Sequence, residues 1–282
     1  MNANTQSPIP NVVSIAGVDP SGGAGVFADL KAFSAHGAYG CGVVVALTAQ
    51  NTRAVTGVSL VEPAFVAGQL DTLFADVAIS AVKIGMLGSA ELVRTVAARL
   101  AELAPGIPIV LDPVMVAKSG DALLAADATA ALISELLPLA TVITPNLPEA
   151  GVLLGEPAPE SLQAMHGTAE RLRQLMGPAQ AWVLLKGGHL EGDMSTDLLY
   201  DGTDMIELPG KRIVTRNTHG TGCTLSSSIA ALIPQNPDVP SAVRQAKQWL
   251  TAAIASADQL NVGSGHGPVH HFHAMWRAPD QR

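Results

Sequence analysis

Apolar residues along this chain gather in short unbroken runs. Residues 12–16, 43–47, 81–84, 107–111, 141–144 and 182–185 are β-rich runs of this kind. A strand with no polar face is buried on both sides, as in a parallel sheet covered by helices. Between the runs, helical spacing predicts helices over 28–36, 65–74, 92–103, 129–137 and 162–176, with two more over 221–232 and 241–260. Strand and helix in alternation predict an α/β fold, a mainly parallel central sheet with helices on both faces. Residues 193–209 break the rule. There DLLY, the turn-forming Asp201-Gly202 and MIEL predict a small β-hairpin appendage. No internal repeat, charge block or long linker divides the chain. It reads as one α/β domain over residues 11–282, after a flexible N-terminus at 1–10.

Composition sharpens this picture. Of the 282 residues, 48% are hydrophobic and 14% charged, enough apolar material for a sizeable core. Lys and Arg number 16 against 24 Asp and Glu, and the net charge of −8 argues against a nucleic-acid partner. The two cysteines, Cys41 and Cys223, form no disulfide framework, which points to a reducing compartment. The first ten residues, MNANTQSPIP, carry no secretory pattern. The longest apolar stretch, 122–142, is broken by Asp127, Ser134, Glu135 and Pro138, so no membrane span is expected. A soluble, cytoplasmic protein is the expectation.

Ligands of open α/β sheets bind beyond the carboxyl ends of strands, and two glycine-rich loops stand at such places. The first runs Gly17-Val-Asp19-Pro-Ser21-Gly22-Gly23-Ala-Gly25. It has the glycine spacing of a P-loop but lacks the Lys and Ser/Thr that would meet phosphate, so that reading is rejected. Gly23, Gly25 and Ala28 also fit a dinucleotide fingerprint, yet residues 43–53 hold no acid for a ribose. Asp29, one helical turn past Gly25, is expected to face a ligand cupped by the loop. The second loop is Asn217-Thr218-His219-Gly220-Thr221-Gly222-Cys223-Thr224, running into an apolar helix. Gly220, Thr221 and Gly222 leave amide N–H groups open at a helix N-terminus, an anion cradle. Cys223 stands in the same turn, where the helix dipole is expected to lower its thiol pKa. Such a thiolate can accept a hydroxyl proton while the cradle stabilises a transferring phosphoryl group.

Taken together, these motifs resemble the ribokinase-like small-molecule kinases, in particular the hydroxymethylpyrimidine/phosphomethylpyrimidine kinases of thiamine biosynthesis. The resemblance rests on IAGVDPSGGAGVFADLKAFSAHGAYG at 15–40, ALTAQNT at 46–52, KIGML at 83–87 and LDPVMVAKSGDALL at 111–124. It continues through ITPNLPEA at 143–150, LLKGGH at 184–189, NTHGTGCTLS at 217–226 and GHGPVHHFHAMW at 265–276. It implies a ribokinase-like fold and transfer of phosphate from ATP, with Mg²⁺, to 4-amino-5-hydroxymethyl-2-methylpyrimidine and then to its monophosphate. It further implies a pyrimidine pocket of Gly17, Asp29, Gln50 and Met86, and Cys223 where most ribokinase-like enzymes carry an Asp base. Asp112 and Glu149 take the places of the acids near magnesium, Asn146 belongs to the same Asn-x-x-Glu element, and Lys186 is placed to meet nucleotide phosphates. A homodimer is implied likewise. Gln50 also suits the ring on its own chemistry, since its amide offers both a donor and an acceptor to an aminopyrimidine edge.

Two alternatives remain open at this point: a pyridoxal or pyridoxine kinase, and a non-catalytic ligand-binding relative. Lys118 with Ser119-Gly120 reads either as a phosphate-side loop or as solvated surface. His266, His270, His271 and His273 read as packing rather than as a metal site, and Met165, Met176 and Trp249 as core or interface residues.

Overall fold

The computed structural model describes residues 8–115, 126–177 and 180–276; Lys118, Ser119, Gly120 and residues 1–7 lie outside them. In chain order the first elements are β1 (Asn11–Val18), α1 (Gly25–Ala35), β2 (Tyr39–Gln50), β3 (Val55–Leu60), α2 (Pro63–Asp76) and β4 (Ile79–Ile84). Next come α3 (Ala90–Leu103), β5 (Ile109–Leu111), α4 (Ala126–Ala131), β6 (Val142–Ile143), α5 (Leu147–Leu154) and α6 (Leu162–Leu175). The last are β7 (Trp182–Leu185), β8 (Asp197–Tyr200), β9 (Met205–Leu208), α7 (Thr221–Leu232) and α8 (Val239–Ala255).

The described strands make one nine-stranded sheet in the order β3-β2-β1-β4-β5-β6-β7-β8-β9. From β2 to β7 every pairing is parallel; β3, β8 and β9 join antiparallel. The predicted hairpin is present with its Asp201-Gly202 turn, but it is no separate appendage. β8 pairs directly with β7, so the hairpin extends the sheet, and Leu198 and Leu199 are fully buried. β3 and α5 escape the hydrophobic pattern. All of β3 after its first residue is exposed, so no buried run announces it. Helix α4 is also shorter than its pattern predicts: the turns pass to a π segment at Leu132–Leu136 and a 3₁₀ turn at Leu137–Leu139.

Strand residues divide by parity between two cores. Val13, Ile15, Val82, Ile84, Ile109, Leu111, Ile143, Val183 and Leu185 pack with α2 to α6. Val12, Ala81, Val110, Val142 and Leu184 pack with Phe33 of α1 and with α7 and α8. Both parities are apolar, and this is why the runs look unbroken in sequence. Ser14 and Lys83 share the parity of Val12 and Ala81, which turns two polar side chains inward between the sheet and helices α1 and α7.

Candidate functional site

A cavity of about 820 Å³ opens at the carboxyl ends of the parallel strands, where such sheets bind ligands. Of the residues that the sequence nominates, Gly17, Gln50, Met86, Asp112, Asn146, Glu149 and Lys186 line it, as do Gly220, Thr221, Gly222 and Cys223. Asp29 does not. It is fully buried beneath the cavity, accepting hydrogen bonds from Ser14 Oγ at 2.5 Å, Ser227 Oγ at 2.6 Å and Lys83 Nζ at 2.9 Å. The expectation that Asp29 faces a ligand is therefore corrected. One helical turn past Gly25 points inward against β1 and β4, where Ser14 and Lys83 supply its partners.

The two glycine loops are built against each other. Asp19 accepts from Ser21 N, Ser21 Oγ and Ala24 N, which folds the first loop around one carboxylate. Its Oδ2 also lies 2.7 Å from His219 Nε2, on the second loop. Burial opposes its ionisation, yet the His219 and Ser21 contacts hold Asp19 below the usual carboxylate range. Gly220 is the residue before α7, with φ +75°, and a Cβ there would sit 1.7 Å from the Gly23 carbonyl oxygen. Only glycine gives both the left-handed backbone and that approach. The Gly222 and Cys223 amides then begin α7 without intrahelical acceptors, and both residues face the cavity.

The charged wall forms where β5, β6 and β7 end. Asp112 is 2% exposed, and its Oδ1 takes Thr144 Oγ1 at 3.1 Å and Lys186 Nζ at 3.3 Å. Its Oδ2 takes Ser226 Oγ at 3.3 Å. Asn146 caps α5 through a reciprocal pair: its Oδ1 accepts from Glu149 N at 2.9 Å, and Glu149 Oε2 accepts from Asn146 N at 2.8 Å. Burial, with the Asp112 charge nearby, pushes Glu149 up to about 7 against the pull of Lys186 and the Asn146 amide. Burial alone would lower Lys186, but Asp112 and Glu149 carry it above the ordinary lysine range.

Cys223 is half-buried and borders the cavity. Its electrostatics differ from the dipole argument. Burial pushes the thiol up to about 11; Lys83 and the Gly25 amide pull it down, while Asp29 and Asp112 add to the rise. The expected lowering is therefore corrected: burial is the largest influence on this thiol, and it acts upward. Sequence reasoning also left Lys83 without a role, although a lysine inside the apolar run ISAVKI was a visible signal.

Among the described residues no group of three or more His, Cys, Asp or Glu gathers as a metal site. Asp112 and Glu149 nevertheless suit magnesium, which takes one or two protein carboxylates and completes its shell with phosphates and water. The raised Glu149 fits the same reading, since a cation beside it would relieve the crowding of two acids. Of the C-terminal histidines, His270 and His271 are buried, His271 Nε2 lies 3.0 Å from Thr224 Oγ1 at the start of α7, and His273 is half-buried, whereas His266 is exposed. Met165 and Met176 are core residues, and Trp249 packs between His36 and His273.

A hydroxymethylpyrimidine/phosphomethylpyrimidine kinase of Escherichia coli K12 is 52% identical over 266 residues, covering 94% of this chain and 98% of that protein. The ADP complex of Bacillus subtilis pyridoxal kinase superposes with a TM-score of 0.86 at 32% identity, covering 96% of this chain and 100% of the other. A phosphomethylpyrimidine kinase of Clostridium difficile 630 gives a TM-score of 0.76 at 39% identity, over 87% and 99% of the two chains. The sequence model of the phosphomethylpyrimidine kinase family matches residues 19–270, a span that holds the first glycine loop from Asp19 onward, the whole second loop, the acidic wall and Cys223. The chain belongs to the phosphomethylpyrimidine kinase family.

Proposed function

We propose that this chain moves the γ-phosphoryl group of ATP to the primary hydroxyl of 4-amino-5-hydroxymethyl-2-methylpyrimidine, and then phosphorylates the resulting monophosphate to the diphosphate. The observation that carries this reading is one cavity lined by an anion cradle, Lys186, two acids and a thiol together with Gln50 and Met86. Gln50 would pair with the aminopyrimidine edge. Met86 packs over Gly17, where a Cβ would sit 2.8 Å from its methyl group, so the ring has a flat apolar wall. The Gly222 and Cys223 amides would hold the transferring phosphoryl group, and Lys186 would balance its charge. Asp112 and Glu149 would hold Mg²⁺, which neutralises the nucleotide phosphates when bound.

Cys223 would take the hydroxyl proton. In a loose phosphoryl-transfer transition state the attacking oxygen needs little activation beforehand, so a strong base present in small amount suffices. With the thiol near 11, its thiolate fraction grows about tenfold per pH unit below that value. The rate is therefore expected to climb with pH through the neutral and mildly alkaline range. Cys223→Ala is expected to lower kcat by about 10²–10⁴-fold and to leave the melting temperature nearly unchanged. Wild-type activity in that variant would remove the thiol from the mechanism.

Pyridoxal is a second acceptor to weigh, because the Bacillus subtilis structural neighbour is a pyridoxal kinase. ADP release with each acceptor decides between them. A larger kcat/KM for the pyrimidine supports the main reading, and a larger value for pyridoxal overturns it. The reaction belongs in the cytoplasm, whose reducing conditions suit a working free thiol. We further propose a homodimer, for which Val58 and Leu60, exposed on one face of the edge strand β3, offer an apolar patch. A monomeric mass by light scattering would refute that assembly.

A further inference from the structure

Lys83 poses a physical problem that the reaction scheme leaves unsolved. Its side chain is completely buried in strand β4, and so is that of its partner Asp29. Apolar residues of similar volume would cost less there, since desolvating two charges consumes much of their mutual attraction. Asp29 is fully occupied, with Ser14, Ser227 and Lys83 around its two oxygens. The ammonium is not: it has three donors, and its hydrogen bond among the described residues is the one to Asp29. A Cβ on Gly85 would stand 2.7 Å from Nζ, so the ammonium lies over the strand's end, and Lys83 borders the same cavity as Cys223.

We propose that Lys83, held in place by Asp29, is a positioning residue for Cys223, its buried ammonium serving as the counter-charge to the proton-accepting form of that sulfur. The charged groups whose fields reach the thiol are Lys83 from β4, Asp29 from α1, Asp112 after β5 and Lys186 after β7. Lys186 is committed to Asp112 and to the phosphate end of the cavity. Lys83 has no such second duty. Ser14 and Ser227 complete the device by bonding Asp29, which keeps the carboxylate on the lysine and turned from the cavity. This inference rests on Cys223 as the proton acceptor, but its test needs neither ATP nor pyrimidine.

The test is the rate of iodoacetamide alkylation at Cys223 in the full chain at about pH 8.5, read by peptide mass spectrometry so that Cys41 is counted apart. Removing the cation in Lys83→Met should slow alkylation about tenfold, one pH unit of thiolate population. Removing the anion in Asp29→Asn leaves the cation uncompensated and should speed it about tenfold. The double variant removes both charges and should return close to the wild-type rate. A purely structural pair predicts another pattern: both single variants loosen the site and alkylate faster, or neither changes. Either of those results overturns the proposal. If Lys83→Met does not fold, Asp29→Asn and the double variant decide the question alone. Opposite shifts alongside a fully active Cys223→Ala enzyme would leave the coupling of Lys83 to the sulfur standing while overturning its part in proton transfer.

Discussion

Two lysine–aspartate pairs rise near the carboxyl ends of parallel strands, Lys83 with Asp29 and Lys186 with Asp112. The first is sealed, with both side chains fully buried, a contact of 2.9 Å and two serines filling the remaining lone pairs. The second is open: Lys186 keeps 15% of its side chain exposed, the contact is 3.3 Å, and Glu149, pushed by burial up to about 7, stands beside it. A sealed pair has nowhere to exchange partners and acts as a fixed field. An open pair can let go of its carboxylate when phosphate arrives. The same two residue types thus stand in different settings, fixed by burial and by the neighbours each strand supplies.

The largest effect that would break this contrast belongs to the sealed pair. Lys83→Met leaves Asp29 as an uncompensated buried charge and is expected to cost about 3–5 kcal/mol of stability in chemical denaturation. A loss below about 1 kcal/mol would mean that water reaches the pair. Lys186→Met should behave in the opposite way, with kcat/KM down by about 10²–10³-fold and most of the damage in rate rather than melting temperature. Equal damage to both, in kinetics and in thermal melts, would erase the distinction.

Glu149 sharpens the comparison through pH. Its folded pKa is about 7, against an ordinary 4.5, so the folded state holds its proton longer than the unfolded chain does. Stability should therefore fall as pH rises from about 4.5 to about 7, by at most roughly 3 kcal/mol. Glu149→Gln should flatten that slope, because an amide oxygen can still accept from Asn146 while carrying no charge. Magnesium should stabilise the wild type more above pH 7 than below it. Denaturation midpoints across the pH range check both statements, and an unchanged slope in Glu149→Gln contradicts them.

Much of the site was legible before any coordinates. Glycines 220 and 222 flank a helix start, and helix starts bind anions for local reasons that sequence displays. The acids at 112 and 149 and the lysine at 186 follow apolar runs, so their place at strand ends came with the α/β pattern. What could not be read was long-range. Asp29 sits where a helix repeat points toward the loop, but its direction is decided by Ser14 and Lys83, 15 and 54 residues away in sequence. The Asp19–His219 clasp spans 200 residues, and neither loop hints at it alone. Strand β3 was invisible because its side chains face outward. The hairpin was visible, but its attachment to β7 depends on a backbone pairing that no side-chain pattern encodes. The direction of the Cys223 shift could not be read either, since it is set by burial and by Asp29 and Asp112, which the fold brings from elsewhere in the chain.

The central claim is that this cavity phosphorylates a hydroxymethylpyrimidine, and the most direct test is product mass after incubation with ATP, Mg²⁺ and that pyrimidine. The account predicts the acceptor with one and then two added phosphoryl groups, accompanied by a matching yield of ADP. An acceptor recovered unchanged, with ADP no higher than in its absence, would contradict it.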